Sequence, residues 1–231
     1  MTFFETIGKI IERYSSFFAQ GVVNTLIIAA FSVLLGTILG TLMATMRMGK
    51  ILPLKWLAVA YIEFIRGTPL MVQLMFIFYG LPMIGVKIPE ISWIPNFSRF
   101  AAGIVAMSMN SCAYVAEVIR SGIQSVDAGQ SEAAMSLGMN SFQRTWYILV
   151  PQALKTILPA LGNEFIMIVK DTSLASTFFI GDLMTQYLIV RGASYLPLEP
   201  LVIVGVIYFI LTFLLSKLFG FFERRMSRAD R

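Results

Sequence analysis

Residues 127–151 read DAGQSEAAMSLGMNSFQRTWYILVP, and this stretch decides the fold. Asp127 is a typical helix N-cap, and Gln130 three residues later completes a capping-box pattern. Residues 128–137 are rich in good helix formers, and Gly138 suits the position after a helix, where φ is positive. The first half of the stretch therefore predicts a short capped helix that ends in a glycine turn.

The second half of the stretch predicts another short helix. Ser141 can cap a helix over residues 142–150, and Pro151 follows where that helix would end. The two helices fall within the segment 121–152, which is too long for a plain connection between neighbouring helices. A short helix with small residues on its surface permits a close approach, so from its residues the segment could either dock against another protein or pack on its own chain.

The composition is that of an integral membrane protein. The chain has 231 residues, of which 57% are hydrophobic and 13% are charged, whereas soluble domains carry about 25% charged residues. It contains no histidine and a single cysteine, Cys112, which excludes histidine-based catalysis, histidine metal sites and an intrachain disulfide. The net charge of +5 fits a basic cytoplasmic face better than nucleic-acid binding.

Hydropathy predicts an all-α membrane protein with five transmembrane helices. Apolar segments of about 16–26 residues approach or reach the length that spans a bilayer. A membrane domain over 21–222 would lie between an N-terminal amphipathic helix at 1–20, placed on the outer surface, and a basic cytoplasmic tail at 223–231. A further interfacial helix is expected at 53–66. The predicted spans are 21–46, 70–85, 100–119, 153–170 and 201–222.

The distribution of basic residues predicts the orientation. With the C-terminus in the cytoplasm, 11 of the 18 lysines and arginines lie inside and 5 lie at the outer face. Because cytoplasmic loops carry the excess of lysine and arginine, we expect the N-terminus outside and the C-terminus inside.

Ionisable side chains within the predicted spans are candidates for a solute site, because such groups are costly in a membrane. An amino acid carries an ammonium and a carboxylate, and both need partners when water is removed. Lys170 could bind the carboxylate, and Glu164 or Asp171 the ammonium. A helix end after Asp171 would add free backbone groups. The candidate residues are Asn110, Ser111, Tyr114, Glu117, Glu164, Lys170, Asp171, Thr172 and Ser173.

The same charges also fit a purely structural role. Lys170 could neutralise Asp171 or Glu164 and hold helices together, since buried charges are usually paired. Glu63 and Arg66 are three residues apart in the second interfacial helix and could pair on one face. The residues alone leave both interpretations open.

The segment 127–151 resembles the EAA motif of permease subunits in ABC importers. That pattern is E-A-A, three residues, G, nine residues and I-x-L-P, and this chain departs from it only in having Val150 for leucine. Segments 63–73, 110–122 and 162–174 are similar to polar amino acid permeases. By resemblance, the residues that contact the ATPase are Glu132, Ala133, Ala134, Gly138, Ile148 and Pro151.

The resemblance implies the type I importer fold in a bacterial cytoplasmic membrane. Two permease subunits would pair, two ATP-binding cassette subunits would bind below them, and an extracytoplasmic protein would deliver the amino acid. ATP and magnesium would belong to the ATPase, with no metal or cofactor on this chain. The chain lacks a G-x-x-x-x-G-K-[ST] phosphate loop, so it is not expected to be the enzyme.

Three other functions compete with this hypothesis. An importer of the same type could carry another small polar solute. A channel would conduct without nucleotide. An intramembrane protease would need paired aspartates, for which only Asp171 and Asp182 are conceivable.

Overall fold

The computed structural model describes residues 2–91 and 96–228, and within these ranges every regular element is helical. Two π-helical turns, Phe76–Gly80 and Thr145–Leu149, and a 3-10 turn at Ser176–Phe178 connect some of the helices. The helices are α1 (Phe3–Met48), α2 (Leu52–Arg66), α3 (Leu70–Met75), α4 (Leu81–Met83), α5 (Phe97–Gln124), α6 (Ala128–Ser136), α7 (Ser141–Arg144), α8 (Val150–Ala175), α9 (Leu183–Ser194) and α10 (Glu199–Arg228).

Three of these helices, α1, α5 and α10, are each long and apolar enough to cross a membrane. Two bent pairs pass the same test together. The chain turns by 108° between α2 and Leu70–Met83, and by 45° between Ser141–Phe178 and α9. The described residues thus contain three spans, or up to five if each bent pair is one span.

The first helix differs from the prediction. Residues 1–20 were expected to form a separate interfacial helix, but α1 continues from Phe3 to Met48 with only a kink at Tyr14, where φ is −121° and ψ is 15°. Ile10 and Phe18 are buried among side chains of α9 and α10. Other apolar side chains of this segment are exposed, among them Phe4 and Ile11, and a separate surface helix is not confirmed.

Two glycines bring α1 into close contact with α5. A Cβ atom on Gly36 would lie 2.7 Å from the Cβ of Ser111, and one on Gly40 would lie 2.9 Å from the carbonyl oxygen of Cys112. Only glycine leaves room for these contacts, so the G-x-x-x-G spacing marks a helix interface. The contact fixes the middle of α5, from which Asn110 and Tyr114 extend.

Both π-helical turns end two residues before a proline. Gly80 precedes Pro82, and Leu149 precedes Pro151. The N–H of Val150 donates to the carbonyl of Thr145, five residues back, and this wider turn lets the helix continue where a proline would otherwise clash. The prediction that a helix ends before Pro151 is therefore wrong.

Candidate functional site

A cleft of about 150 Å³ lies where the start of α3 meets α5 and α8. It unites four of the predicted solute-site residues, two from α5 and two from α8, and each pair is separated from the other by at least 50 positions in the sequence. Its lining consists of Thr68, Pro69, Leu70, Asn110, Tyr114, Glu164, Met167, Ile168 and Asp171.

The cleft is rich in hydrogen-bond acceptors and negative charge. Glu164 is 6% exposed, and Asp171 lies two helical turns further along the same face of α8. Among the described residues, no lysine or arginine lines the cleft. Two carboxyl groups without a basic neighbour in the wall favour a ligand that brings its own positive charge.

Gln73 holds this cleft together, and the sequence did not single it out. Its Nε2 donates to the carbonyl oxygens of Ile65 (2.8 Å) and Thr68 (3.0 Å), which fixes the turn between α2 and α3. Its Oε1 accepts from Nδ2 of Asn110 at 2.9 Å, and this bond does not use Oδ1, the only acceptor atom of the Asn110 side chain. The sequence signal that could have pointed to Gln73 is the presence of a glutamine within an apolar segment.

The other polar candidates on α5 and α8 do not line the cleft. Ser111 is fully buried against Gly36, and the hydroxyl of Thr172 donates to the carbonyl of Val169 at 2.9 Å. Ser173 is half-buried. The expected helix end after Asp171 is wrong, because α8 continues to Ala175. These backbone groups therefore stay within the helix.

Lys170 lies away from the cleft. Its side chain is exposed, and it makes no salt bridge to any residue that the structure describes. The physical reason is helical geometry, since a residue next to Asp171 projects about 100° around the helix. No salt bridge between Lys170 and Asp171 or Glu164 is seen among the described residues, and the contact of Lys170 with the carboxylate of a solute stays a prediction.

Glu117 binds arginines near the C-terminal ends of three helices and is not part of the cleft wall. Its carboxylate lies 2.9 Å from Arg47 of α1 and 3.7 Å from Arg66 of α2, and it is in close contact with Arg120 of α5. Glu63 pairs with Arg47 at 3.4 Å, so the expected Glu63–Arg66 pair is not seen. We call these five residues the arginine cluster.

Asp182 has a structural role as the N-cap of α9. Its side chain accepts hydrogen bonds from the backbone N–H groups of Met184 (3.0 Å) and Thr185 (3.1 Å) and thereby caps α9. It is fully buried and is not part of the cleft wall. This arrangement gives no support to a catalytic pair formed by Asp171 and Asp182.

The segment with the EAA pattern folds largely as expected. Asp127 caps α6 by accepting from the N–H of Gly129 at 2.8 Å, and Gly138 has a φ of +80°. The capping box lies elsewhere, because Asn140 and Gln143 form it at the start of α7 instead of Asp127 and Gln130, and Asn140 replaces Ser141 as the cap.

Large apolar side chains are exposed along this segment, although a polar surface would be the rule for a loop. Glu132 and Ala133 are exposed beside them, whereas Ala134 is buried and Ile148 is half-buried. An exposed apolar patch of this kind marks a contact with another protein or with the membrane. We call it the coupling surface, and it consists of Met135, Leu137, Phe142, Trp146 and Tyr147, which are between 51% and 83% exposed.

The comparison with protein families decides the class. Residues 36–228 match the model of the binding-protein-dependent transport system inner membrane component. The chain belongs to this family. It is thus a permease component of a transport system, in line with the resemblance of the EAA segment.

Curated relatives extend over nearly the whole permease. The arginine transport system permease protein ArtQ of Bacillus subtilis (strain 168) is 37% identical over 93% of this chain and 94% of its own length. The nopaline transport system permease protein NocM of Agrobacterium fabrum is 38% identical over 92% of this chain and 88% of its own length. The probable glutamine ABC transporter permease protein GlnM of B. subtilis is 35% identical, with coverage of 93% and 95%.

Solved structures share the fold. A crystal structure of an amino acid ABC transporter with histidines aligns with a TM-score of 0.87 and 43% identity, over 97% of this permease and 99% of that chain. An inward-facing MetNI methionine ABC transporter aligns with a TM-score of 0.73 at 20% identity, over 93% and 98% of the two chains. The permease thus has the helical architecture of ABC importer permeases.

Proposed function

We propose that this permease forms the membrane pathway of an importer for polar amino acids and that the cleft holds the solute there. The observation that carries this proposal is the pairing of Glu164 and Asp171 with Asn110 in one small cavity. An ammonium entering the cleft would exchange water for these acceptors, which reduces its desolvation cost. The roles of Asn110, Tyr114, Glu164 and Asp171 follow from their place in the wall.

The charge of the cleft favours a cationic amino acid. Such a solute carries two positive groups, which match the two carboxyl groups, whereas a neutral amino acid carries one. The relatives named for arginine and nopaline transport fit this class, and the relative named for glutamine marks the neutral alternative. We place the cationic class first because no lysine or arginine among the described residues lines the cleft beside Glu164 and Asp171.

The partners are an ATP-binding cassette subunit at the coupling surface and an extracytoplasmic binding protein on the opposite side. Exposed apolar side chains offer contact area, and Glu132 offers one charge to a basic residue of the ATPase. Gly138, Ala133, Ile148 and Pro151 shape the same segment. ATP and magnesium are handled by that partner, since this chain has no phosphate-binding loop.

A second permease subunit, identical or related, covers part of this one. Lys170 is exposed on the apolar helix α8, yet ionisable groups within a membrane almost always face a protein interior or a water-filled cavity. A facing subunit would supply that environment. Two permeases then require two ATPase subunits, one for each coupling surface.

The proposed orientation places the N-terminus outside and the C-terminus in the cytoplasm, with each bent helix pair counted as one of five spans. The arginine cluster and the coupling surface then lie on the same, basic side, as the positive-inside rule requires. Residues 229–231 of the predicted basic tail lie outside the described residues.

Equilibrium binding tests the proposal. The complex of permease and ATPase is placed in lipid nanodiscs without the binding protein, and labelled L-arginine, L-glutamine and glucose are titrated separately. We expect L-arginine to bind and Glu164→Gln to weaken it by about 30-fold or more, because a buried charged partner is lost. The matched control Glu132→Gln, which changes an exposed residue in the segment of the coupling surface, should leave L-arginine binding unchanged.

Two results would contradict the proposal. If Glu164→Gln binds L-arginine like the unaltered complex, the cleft is not the solute site. If glucose binds and neither amino acid does, the importer carries another polar solute. Ion conductance through the permease without ATP would identify a channel instead.

A further inference from the structure

The described wall of the cleft has carboxyl groups for the positive groups of an amino acid but no positive charge for its carboxylate. Its polar wall consists of Glu164, Asp171, Asn110, Tyr114 and Thr68. An α-carboxylate brought next to two carboxyl groups would be repelled, and the neutral donors of Asn110 and Tyr114 would compensate its dehydration only in part. A guanidinium close to the wall would therefore favour the binding of a whole amino acid.

Arg66 is the guanidinium that adjoins this wall. It directly precedes the turn that places Thr68 and Pro69 in the cleft. Its guanidinium carbon lies 5.8 Å from the centre of the Tyr114 ring, and that ring is itself part of the wall. Arg66 thus lies one aromatic ring away from the cavity.

The arginine cluster can release Arg66 more easily than its other members. Glu117 already has Arg47 at 2.9 Å and Arg120 in close contact, whereas Arg66 stands 3.7 Å away. The Arg66 side chain is also the most exposed of the three, at 36% compared with 19% for Arg47 and 26% for Arg120. Three arginines face two glutamates, so one positive charge in the cluster is not offset within it.

We propose that Arg66 recognises the α-carboxylate of the solute and so makes the cleft select amino acids over amines. This inference rests on the proposed function of the cleft. When the solute is bound, Arg66 exchanges its long contact with Glu117 for the carboxylate, while Arg47 and Arg120 keep Glu117 paired. Arginine suits this task because its planar fork binds carboxylates through two parallel hydrogen bonds.

A comparison of L-arginine with agmatine, its decarboxylated amine, tests the inference. Both ligands are titrated into the permease–ATPase complex in nanodiscs, without the binding protein. We expect the unaltered complex to bind L-arginine about 30-fold or more tightly than agmatine, the range of a close charge pair. Arg66→Gln should lose this preference by weakening L-arginine and sparing agmatine, and Arg66→Lys should keep part of it.

Arg47→Gln is the matched control, because it removes another guanidinium of the cluster that does not stack on Tyr114. It should change the two affinities by the same factor and leave the preference intact. Capture of the ATPase subunit by each variant checks that the permease is folded.

Several results separate the inference from the proposed function. If Arg66→Gln weakens both ligands equally, as Arg47→Gln does, Arg66 is only structural and the inference is wrong. The inference also fails if the unaltered complex does not prefer L-arginine over agmatine. If L-arginine binding does not depend on Glu164, the proposed function of the cleft itself fails.

Discussion

The cleft and the coupling surface differ in almost every physical respect. The cleft is a buried set of acceptors, assembled from α3, α5 and α8 and held in place by Gln73. The coupling surface is an exposed apolar patch on one continuous segment, shaped by a glycine with a φ of +80°. One region suits a small charged solute, and the other suits a protein.

This difference predicts how each region fails. A solute site loses affinity when one charge or hydrogen bond is removed, whereas a docking surface loses it when contact area or backbone shape changes. The two are connected through α5, which carries Asn110 and Tyr114 and leads directly into α6. Changes that stay local to one region should leave the other intact.

We expect the largest effect on stability from Gln73→Leu. The change leaves the carbonyls of Ile65 and Thr68 and the amide of Asn110 without a buried partner, which costs about 1–3 kcal/mol for each such group. Thermal unfolding of the complex should shift to a lower temperature, and L-arginine binding should fall by at least about tenfold. The matched control Gln20→Leu, whose side chain donates to Asn24 at the surface, should change neither. Full binding by Gln73→Leu would contradict the account of the cleft.

A somewhat smaller effect is expected from Gly36→Ala. The new Cβ would lie 2.7 Å from the Cβ of Ser111, and overpacking of this kind costs about 1–3 kcal/mol. Since α5 carries the cleft, solute binding should weaken along with thermal stability, and ATPase capture should remain. Gly205→Ala on α10, where a Cβ meets nothing within 4 Å, is the control. Equal stability of the two variants would show that the α1–α5 contact is not close.

Gly138→Ala should act on the coupling surface alone. No atom lies within 4 Å of a Cβ at this position, but φ is +80°, and an alanine there costs about 1–2 kcal/mol of backbone strain. Solute-stimulated ATP hydrolysis should fall while solute binding persists. Gly138→Asn is bulkier but tolerates a left-handed backbone better, so it should retain more coupling. If Gly138→Asn retains less coupling than Gly138→Ala, the size of the side chain rather than backbone strain causes the loss.

The smallest effect on stability is expected from Trp146→Ala. The side chain is 56% exposed, and substitutions at exposed positions usually change stability by less than about 0.5 kcal/mol. Capture of the ATPase subunit should nevertheless weaken clearly. The exposed Lys155→Ala on α8 provides a comparison outside the patch. If Trp146→Ala captures the ATPase subunit as well as the unaltered permease does, Trp146 does not contribute to docking.

The sequence predicted the coupling segment well because its signals are local. Asp127, α6 and Gly138 appear where cap, helix propensity and glycine placed them. The errors are also local in origin. Asn140 rather than Ser141 is the N-cap of α7, because Gln143 lies three residues after it and completes a capping box. The π-helical turn before Pro151 allows the helix to continue, whereas the proline alone would have ended it.

The cleft could be predicted only in part, because it depends on contacts between distant segments. Helical spacing placed Glu164 and Asp171 on one face, and the structure brings Asn110 and Tyr114 to them. Glu117 was a candidate because it lies within a predicted span, but arginines from α1 and α2 bind it away from the cavity. Gln73 forms hydrogen bonds to residues 65, 68 and 110, and no local sequence pattern predicts this combination.

The most direct test measures two properties of two variants in one preparation. Glu164→Gln and Trp146→Ala are each assayed for L-arginine binding and for capture of the ATPase subunit. We predict that Glu164→Gln loses solute binding and keeps the ATPase, and that Trp146→Ala keeps solute binding and loses the ATPase. If each variant loses both properties, or if Glu164→Gln still binds L-arginine normally, the separation of the cleft from the coupling surface is wrong.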